Sequence, residues 1–179
     1  MNKILQIKKT TDVTVEAIHL WEVKKWMRVE GTDDDNVINE LIKQVREGIE
    51  RKCGLGLGTQ TLSVIAELDG SCFELPRGPV QTITLIEQKI DSTDWDSLVE
   101  DTDYDMEVAD FSQFQDYGAG VFRFTYSCGY TLSNLPYSLK NLWMKLVLAH
   151  YESRGDDGMG KIKELETELN QYKRFTNLL

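Results

Sequence analysis

The residues best suited to hold a metal ion lie at Asp101-Thr102-Asp103-Tyr104-Asp105, where aspartates alternate as in a calcium loop and Glu107 follows closely. The run departs from the EF-hand pattern. Its sixth position is Met106 where glycine makes the turn, and its twelfth is Ser112 where a glutamate would bind through both oxygens. Asp101, Asp103 and Asp105 are thus weak metal candidates, and a solvated acidic face is the favoured reading. The surrounding charge is one-sided. Between Lys89 and Arg123 there is no Lys or Arg, while Asp91, Asp94, Asp96, Glu100, Asp101, Asp103, Asp105, Glu107, Asp110 and Asp116 fall in that gap.

Acid–base or nucleophilic chemistry has little else to work with. Of the two histidines, His150 sits on the apolar face of a helical pattern and reads as a packed side chain, and His19 reads as a surface or capping residue. Cys53, Cys72 and Cys128 are odd in number, form no Cys-x-x-Cys pair and have no neighbouring basic cluster, so they are expected to be reduced and mostly buried. Gly54-x-Gly56-x-Gly58 follows a helix and precedes a strand, the reverse of the nucleotide-binding order, and reads as helix termination. The four tryptophans are not interleaved with basic residues as a platform for stacking bases would be, which favours core or subunit contacts. No cofactor is expected.

The positioning elements follow from periodicity. Val13, Val15 and Ala17 alternate, predicting an extended arm over 12–18. Leu20, Val23 and Met27 make a helical stripe, and Thr32-Asp33-Asp34-Asp35 opens a longer helix along Val37, Leu41, Val45 and Ile49, widened by Ile38 and Ile42. Strands are predicted over 61–68, at 72–75 before the Pro76-Arg77-Gly78-Pro79 turn, and at about 80–88, 104–108 and 121–126. Helical spacing returns through Leu139, Leu142, Trp143, Leu146, Val147 and His150. A last helix carries Ile162, Leu165, Leu169 and Tyr172 in a narrow seam. This predicts an α+β fold, mainly α-helical: two N-terminal helices at about 20–53, a central antiparallel β insertion at about 59–127, and two C-terminal helices at about 136–153 and 161–175. The whole of 1–179 is expected to form a single domain.

The 179 residues carry 30 acidic against 20 basic side chains, a net charge of −10, which argues against wrapping DNA by phosphate neutralisation. No apolar stretch approaches a membrane span and the opening residues lack the run of a signal peptide, so the chain is expected in the cytoplasm at synthesis, with no membrane partner.

In order along the chain, Leu20-Trp21-Glu22-Val23-Lys24-Lys25-Trp26-Met27-Arg28-Val29 before Asp33-Asp34-Asp35, then Glu74-Leu75-Pro76-Arg77-Gly78-Pro79-Val80, then Phe124-Thr125-Tyr126-Ser127-Cys128-Gly129-Tyr130 resemble motifs of the phage head-tail connector (adaptor) family. Leu135-Pro136-Tyr137-Ser138-Leu139-Lys140, with Ala149-His150-Tyr151-Glu152-Ser153-Arg154 downstream, resembles its third helix. The resemblance implies a non-enzymatic virion protein at the neck, made in the host cytoplasm. It also implies a homo-oligomeric ring of about twelve subunits closed by heterologous contacts. Its expected partners are the portal protein, a stopper or tail-completion protein, and genomic DNA that passes without specific binding. Trp26, Arg28, Arg77, Ile162, Leu165, Leu169 and Tyr172 are the expected oligomer or partner contacts. Asp91, Asp94, Asp96, Asp101, Asp103 and Asp105 are expected to face the channel or a basic partner. The alternatives are a tail-completion or stopper protein of the same joint, a non-viral α+β binding module, and a metal-dependent hydrolase.

Overall fold

The computed structural model of the chain describes residues 1–107, 113–116, 118–153 and 159–173. These residues form two compact units, one from 1–14 with 58–129 and the other from 15–57 with 130–173.

The first unit is built of strands. β1 (Lys3–Thr11), β2 (Gln60–Leu68), β4 (Val80–Lys89), β5 (Trp95–Ser97) and β8 (Gly120–Cys128) form an antiparallel sheet in the order β1-β2-β8-β4-β5. β3 (Phe73–Glu74), β6 (Tyr104–Glu107) and β7 (Gln113–Asp116) form a second sheet in the order β3-β7-β6. Strict alternation sets which face is buried. Leu62, Val64, Ala66 and Leu68 of β2 lie inside, opposite the inward side chains Phe122, Phe124, Tyr126 and Cys128 of β8. Phe73, Tyr104 and Phe114 of the second sheet close the other side of this core. Phe114 is its centre: fully buried, it meets Phe124 edge-on at 4.9 Å, Phe122 at 5.5 Å and Tyr104 at 5.2 Å, spacings at which aromatic pairs attract beyond their buried area.

The second unit is helical: α1 (Leu20–Met27), α2 (Asp35–Cys53), α3 (Tyr137–Glu152) and α4 (Met159–Glu168), which runs on into a 3-10 turn at Leu169–Tyr172. Ile38, Ile42, Val45 and Ile49 of α2 are buried, as are Leu139, Leu142, Trp143, Leu146 and Val147 of α3. The indole N–H of Trp143 donates to the carbonyl of Ile42 at 3.2 Å, so the largest side chain of this core hides no unmet donor. α2 ends where Gly54 adopts φ 69° and its N–H donates to the carbonyl of Glu50, a left-handed cap that glycine takes without penalty.

The expectation of a mainly α-helical fold with an inserted β region is overturned. Among the described residues helix makes up 36% and strand 30%, and the five-stranded sheet includes an N-terminal strand that precedes every described helix. That strand lies at Lys3–Thr11, whereas the arm was expected over 12–18. Its sequence conceals it: Ile4 and Leu5 are adjacent apolar residues, and the register with β2 shifts between Ile4 and Gln6, so a bulge breaks the alternation. Along α2 the buried stripe runs through Ile38 and Ile42, with Val37 43% exposed. Val108, Arg154 and the end of the last helix to 175 lie outside the described residues.

Gly129 has φ 120°, and a Cβ there would stand 2.0 Å from the carbonyl oxygen of Gly58. Gly129→Ala is expected to cost more than about 3 kcal/mol. Gly48→Ala, where nothing lies within 4 Å of an added Cβ in mid-helix, should instead stabilise by up to about 1 kcal/mol. Thermal denaturation of the two variants checks both, and a tolerant position 129 would contradict this packing.

Candidate functional site

The helical unit is held by ion pairs of two kinds. Arg46, 3% exposed, reaches Glu16 at 3.1 Å and Glu50 at 3.3 Å, and the other oxygen of Glu50 accepts the backbone N–H of Leu57 at 2.8 Å. This network ties the segment before α1 and the residues after α2 to one guanidinium. Burial pushes the Glu16 carboxyl above its ordinary value, with Arg46 acting in the opposite direction. At the start of α1 the Glu22 carboxylate accepts the backbone N–H of His19 at 3.1 Å and an ammonium hydrogen bond from Lys140 of α3 at 2.7 Å. Partial burial would raise Glu22, but those two donors together hold it below its ordinary 4.5. At the start of α2, Asp35 pairs with Lys24 and Asp34 accepts from the Tyr151 hydroxyl.

α1 also presents side chains outward. Trp21 is 62% exposed and Trp26 41%. Arg28, next in line, is exposed and takes the left-handed conformation at φ 57° to cap the helix. Ile162, Leu165 and Leu169, expected on a docking seam, are buried within the helical unit, and Tyr172 is half-buried. Arg77 is half-buried in the β unit, donating to Gln60 at 3.3 Å.

Acidic residues crowd β5 and the segments on either side of it. Asp91 accepts the backbone N–H groups of Thr93 and Asp94 at 2.8 and 3.1 Å, which hold its carboxyl below the ordinary range and close the β4–β5 turn. Asp103 accepts the N–H of Val99 at 2.8 Å, and Asp101 has φ 63° in the same turn. Asp94, Asp96 and Asp101 are exposed; the side chains of Asp105 and Asp110 lie outside the described residues. Among the described residues no three His, Cys, Asp or Glu side chains converge as a metal site would require.

Sequence reasoning missed Arg123. On β8 it donates from Nε and Nη2 to the two carboxylate oxygens of Glu87 on β4, each at 2.6 Å, and lies 4.3 Å above the ring of Trp95 on β5. Three strands are thereby clamped on the face opposite the aromatic core. The residues are 8 to 36 positions apart, so only the strand order brings them together. As to nucleophiles, burial pushes the Cys53 thiol up to about 11, which disfavours the thiolate. Cys128 is also buried, while Cys72 is exposed, against the expectation for it.

Residues 17–93 match the family model described as phage gp6-like head-tail connector protein. No curated protein sequence matches the chain. The fold resembles a chain from the neck of an empty GTA particle computed with C6 symmetry, with a TM-score of 0.78 at 16% identity over 97% of this chain and 98% of that one. It also resembles chains from the virion of a native gene transfer agent (GTA) particle, with a TM-score of 0.74 at 18% identity, and from the neck of the native particle computed with C12 symmetry, 0.71 at 16%. Both again cover 97% of this chain and 98% of the other.

Two measurements check this electrostatic account. Arg46→Ala strands the buried Glu50 carboxylate and the partly buried Glu16 and should cost about 3–5 kcal/mol by chemical denaturation, whereas Lys43→Ala, which breaks an exposed pair with Glu40, should cost less than about 1 kcal/mol. Because Glu22 is held below its ordinary value when folded, its contribution is complete above that value and is lost as pH falls through the folded one. Glu22→Gln should therefore flatten the acid side of the stability–pH curve. An unchanged acid slope would contradict the cap.

Proposed function

We propose that this chain, whose residues 17–93 match the phage gp6-like head-tail connector family, is a head-tail connector protein and that its subunits form a closed ring in the virion neck. The carrying observation is that the connector match in 17–93 sits within a fold similar, over 97% of the chain, to neck components of phage-like particles. Relatives described with C6 and C12 symmetry support a ring whose subunits number six or a multiple of it. A closed ring of identical subunits needs two different faces on each, one for either neighbour.

The chemistry of the chain fits a passive conduit. A net charge of −10 per subunit repels phosphate, so DNA can slide through without being gripped. A role without catalysis is supported by the connector family match and by the likeness of the fold to neck components. Exposed Trp26 on α1 and Arg28 at its C-terminal cap, inside the matched segment, are proposed contacts to the portal or to a neighbour, since large aromatic and arginine side chains carry much of the energy of interfaces.

Size-exclusion chromatography with light scattering, on the protein alone and mixed with the portal protein of the same genome, tests this reading. A ring, or an assembly that forms on the portal, is expected. A monomer that ignores portal would overturn it. Trp26→Ala with Arg28→Ala should weaken the association with the fold unchanged by circular dichroism.

A further inference from the structure

The five-stranded sheet ends in two edges of opposite charge. β1 carries Lys3, Lys8 and Lys9, with no acidic residue before Asp12. Lys9 pairs with Asp12 at 2.8 Å, but Lys3 and Lys8 have no ion-pair partner among the described residues. At the opposite edge, β5 and its flanking turns hold Asp91, Asp94, Asp96, Glu100, Asp101 and Asp103, with no cation between Lys89 and Arg123. Both edges are apolar as well. Leu5 and Ile7 on β1 are 47% and 46% exposed, and Ile90 and Val99 on either side of β5 are 67% and 60% exposed. Among the described residues neither edge strand has a second neighbour in the sheet.

An open edge offers unmet N–H and C=O groups, which proteins usually blunt or pair. Here the two edges are complementary to each other and not to themselves. A two-fold contact, β1 on β1 or β5 on β5, sets like charges together; a head-to-tail contact sets lysines against aspartates and apolar residues against apolar residues. Every neighbouring pair in the sheet is antiparallel, so β1 and β5 run in the same direction. A rotation about an axis lying along the strands then brings β5 of one copy beside β1 of the next as parallel neighbours. We propose that the occupant of each edge is a second copy of this chain, the lysine-bearing β1 edge of one subunit seated against the aspartate-bearing β5 edge of the next. The proposal rests on the ring reading and names its subunit contact. β5 has only three residues, so backbone pairing there is short and charge and apolar contact supply most of the adhesion.

The test is zero-length carbodiimide cross-linking of the wild-type assembly, alone and on portal, followed by peptide mass spectrometry. The two edges are four strand spacings apart, about 19 Å, so an amide between Lys3 or Lys8 and residues 91–103 can form only between subunits. Such links are expected in the oligomer fraction and absent from monomer. Lys3→Glu with Lys8→Glu, and separately Asp94→Lys with Asp96→Lys, should each lower the oligomer fraction severalfold while circular dichroism is unchanged. Mixing the two variants should restore assembly, because they can alternate around a ring. An oligomer that shows no such link and tolerates both reversals overturns this contact and leaves the ring standing. A wild-type chain that stays monomeric with and without portal overturns the ring reading, and this contact with it.

Discussion

Where the chain leaves the sheet, three segments must pass almost without side chains between them. A Cβ on Gly129 would meet the carbonyl of Gly58 at 2.0 Å, and a Cβ on Gly58 would meet Val13 at 2.5 Å. Residues 13, 58 and 129 each stand at or next to the point where the backbone passes from strand to helical unit. The close approach is fastened by the N–H of Gly129 on the carbonyl of Pro79 at 2.8 Å, and one residue further on by the N–H of Tyr130 on the carbonyl of Gly56 at 2.9 Å. At this crossing β2 begins and β8 ends as antiparallel neighbours, in register from Gln60 opposite Cys128 to Leu68 opposite Gly120. Their pairing lays down the aromatic face on which the smaller sheet closes. Everything in the β unit hangs from that register, because a slip of one residue would turn Phe122 and Phe124 to the outside.

What could be read in the sequence and what could not divides along a physical line. β2 and β8 alternate cleanly because one face is buried, and the residues that alternate are the ones in the core. β1 was invisible because an edge strand with exposed Leu5 and Ile7 and a bulge has no need of a buried face. β5 is too short to carry a period at all. The Gly54, Gly56, Gly58 run was legible as the end of a helix, and Gly54 does that work. Gly58 answers a different need, the passage of another backbone, which periodicity cannot foresee.

Candidate contacts show the same limit. The spacing of Ile162, Leu165 and Leu169 was a sound sign of a helix that buries one face, but spacing does not say what covers that face, and here it is the chain's own helical unit. Trp21 and Trp26 show the converse: large apolar side chains that the fold leaves exposed and that folding alone does not explain. The Arg123, Glu87 and Trp95 clamp depends on strand order, a global property that no local pattern encodes. The acidic run between Lys89 and Arg123 was plain from the first reading, whereas its position at the edge opposite the lysines of β1 required the topology.

A connector joins a filled head to its tail, so its removal should stop assembly at that joint and nowhere earlier. The most direct measurement is electron microscopy of particles produced from the same genome with this chain deleted, with and without the chain supplied in trans. The account predicts heads that carry portal but lack tails, and tailed particles again on complementation. Complete, DNA-retaining tailed particles in the absence of the chain would contradict it.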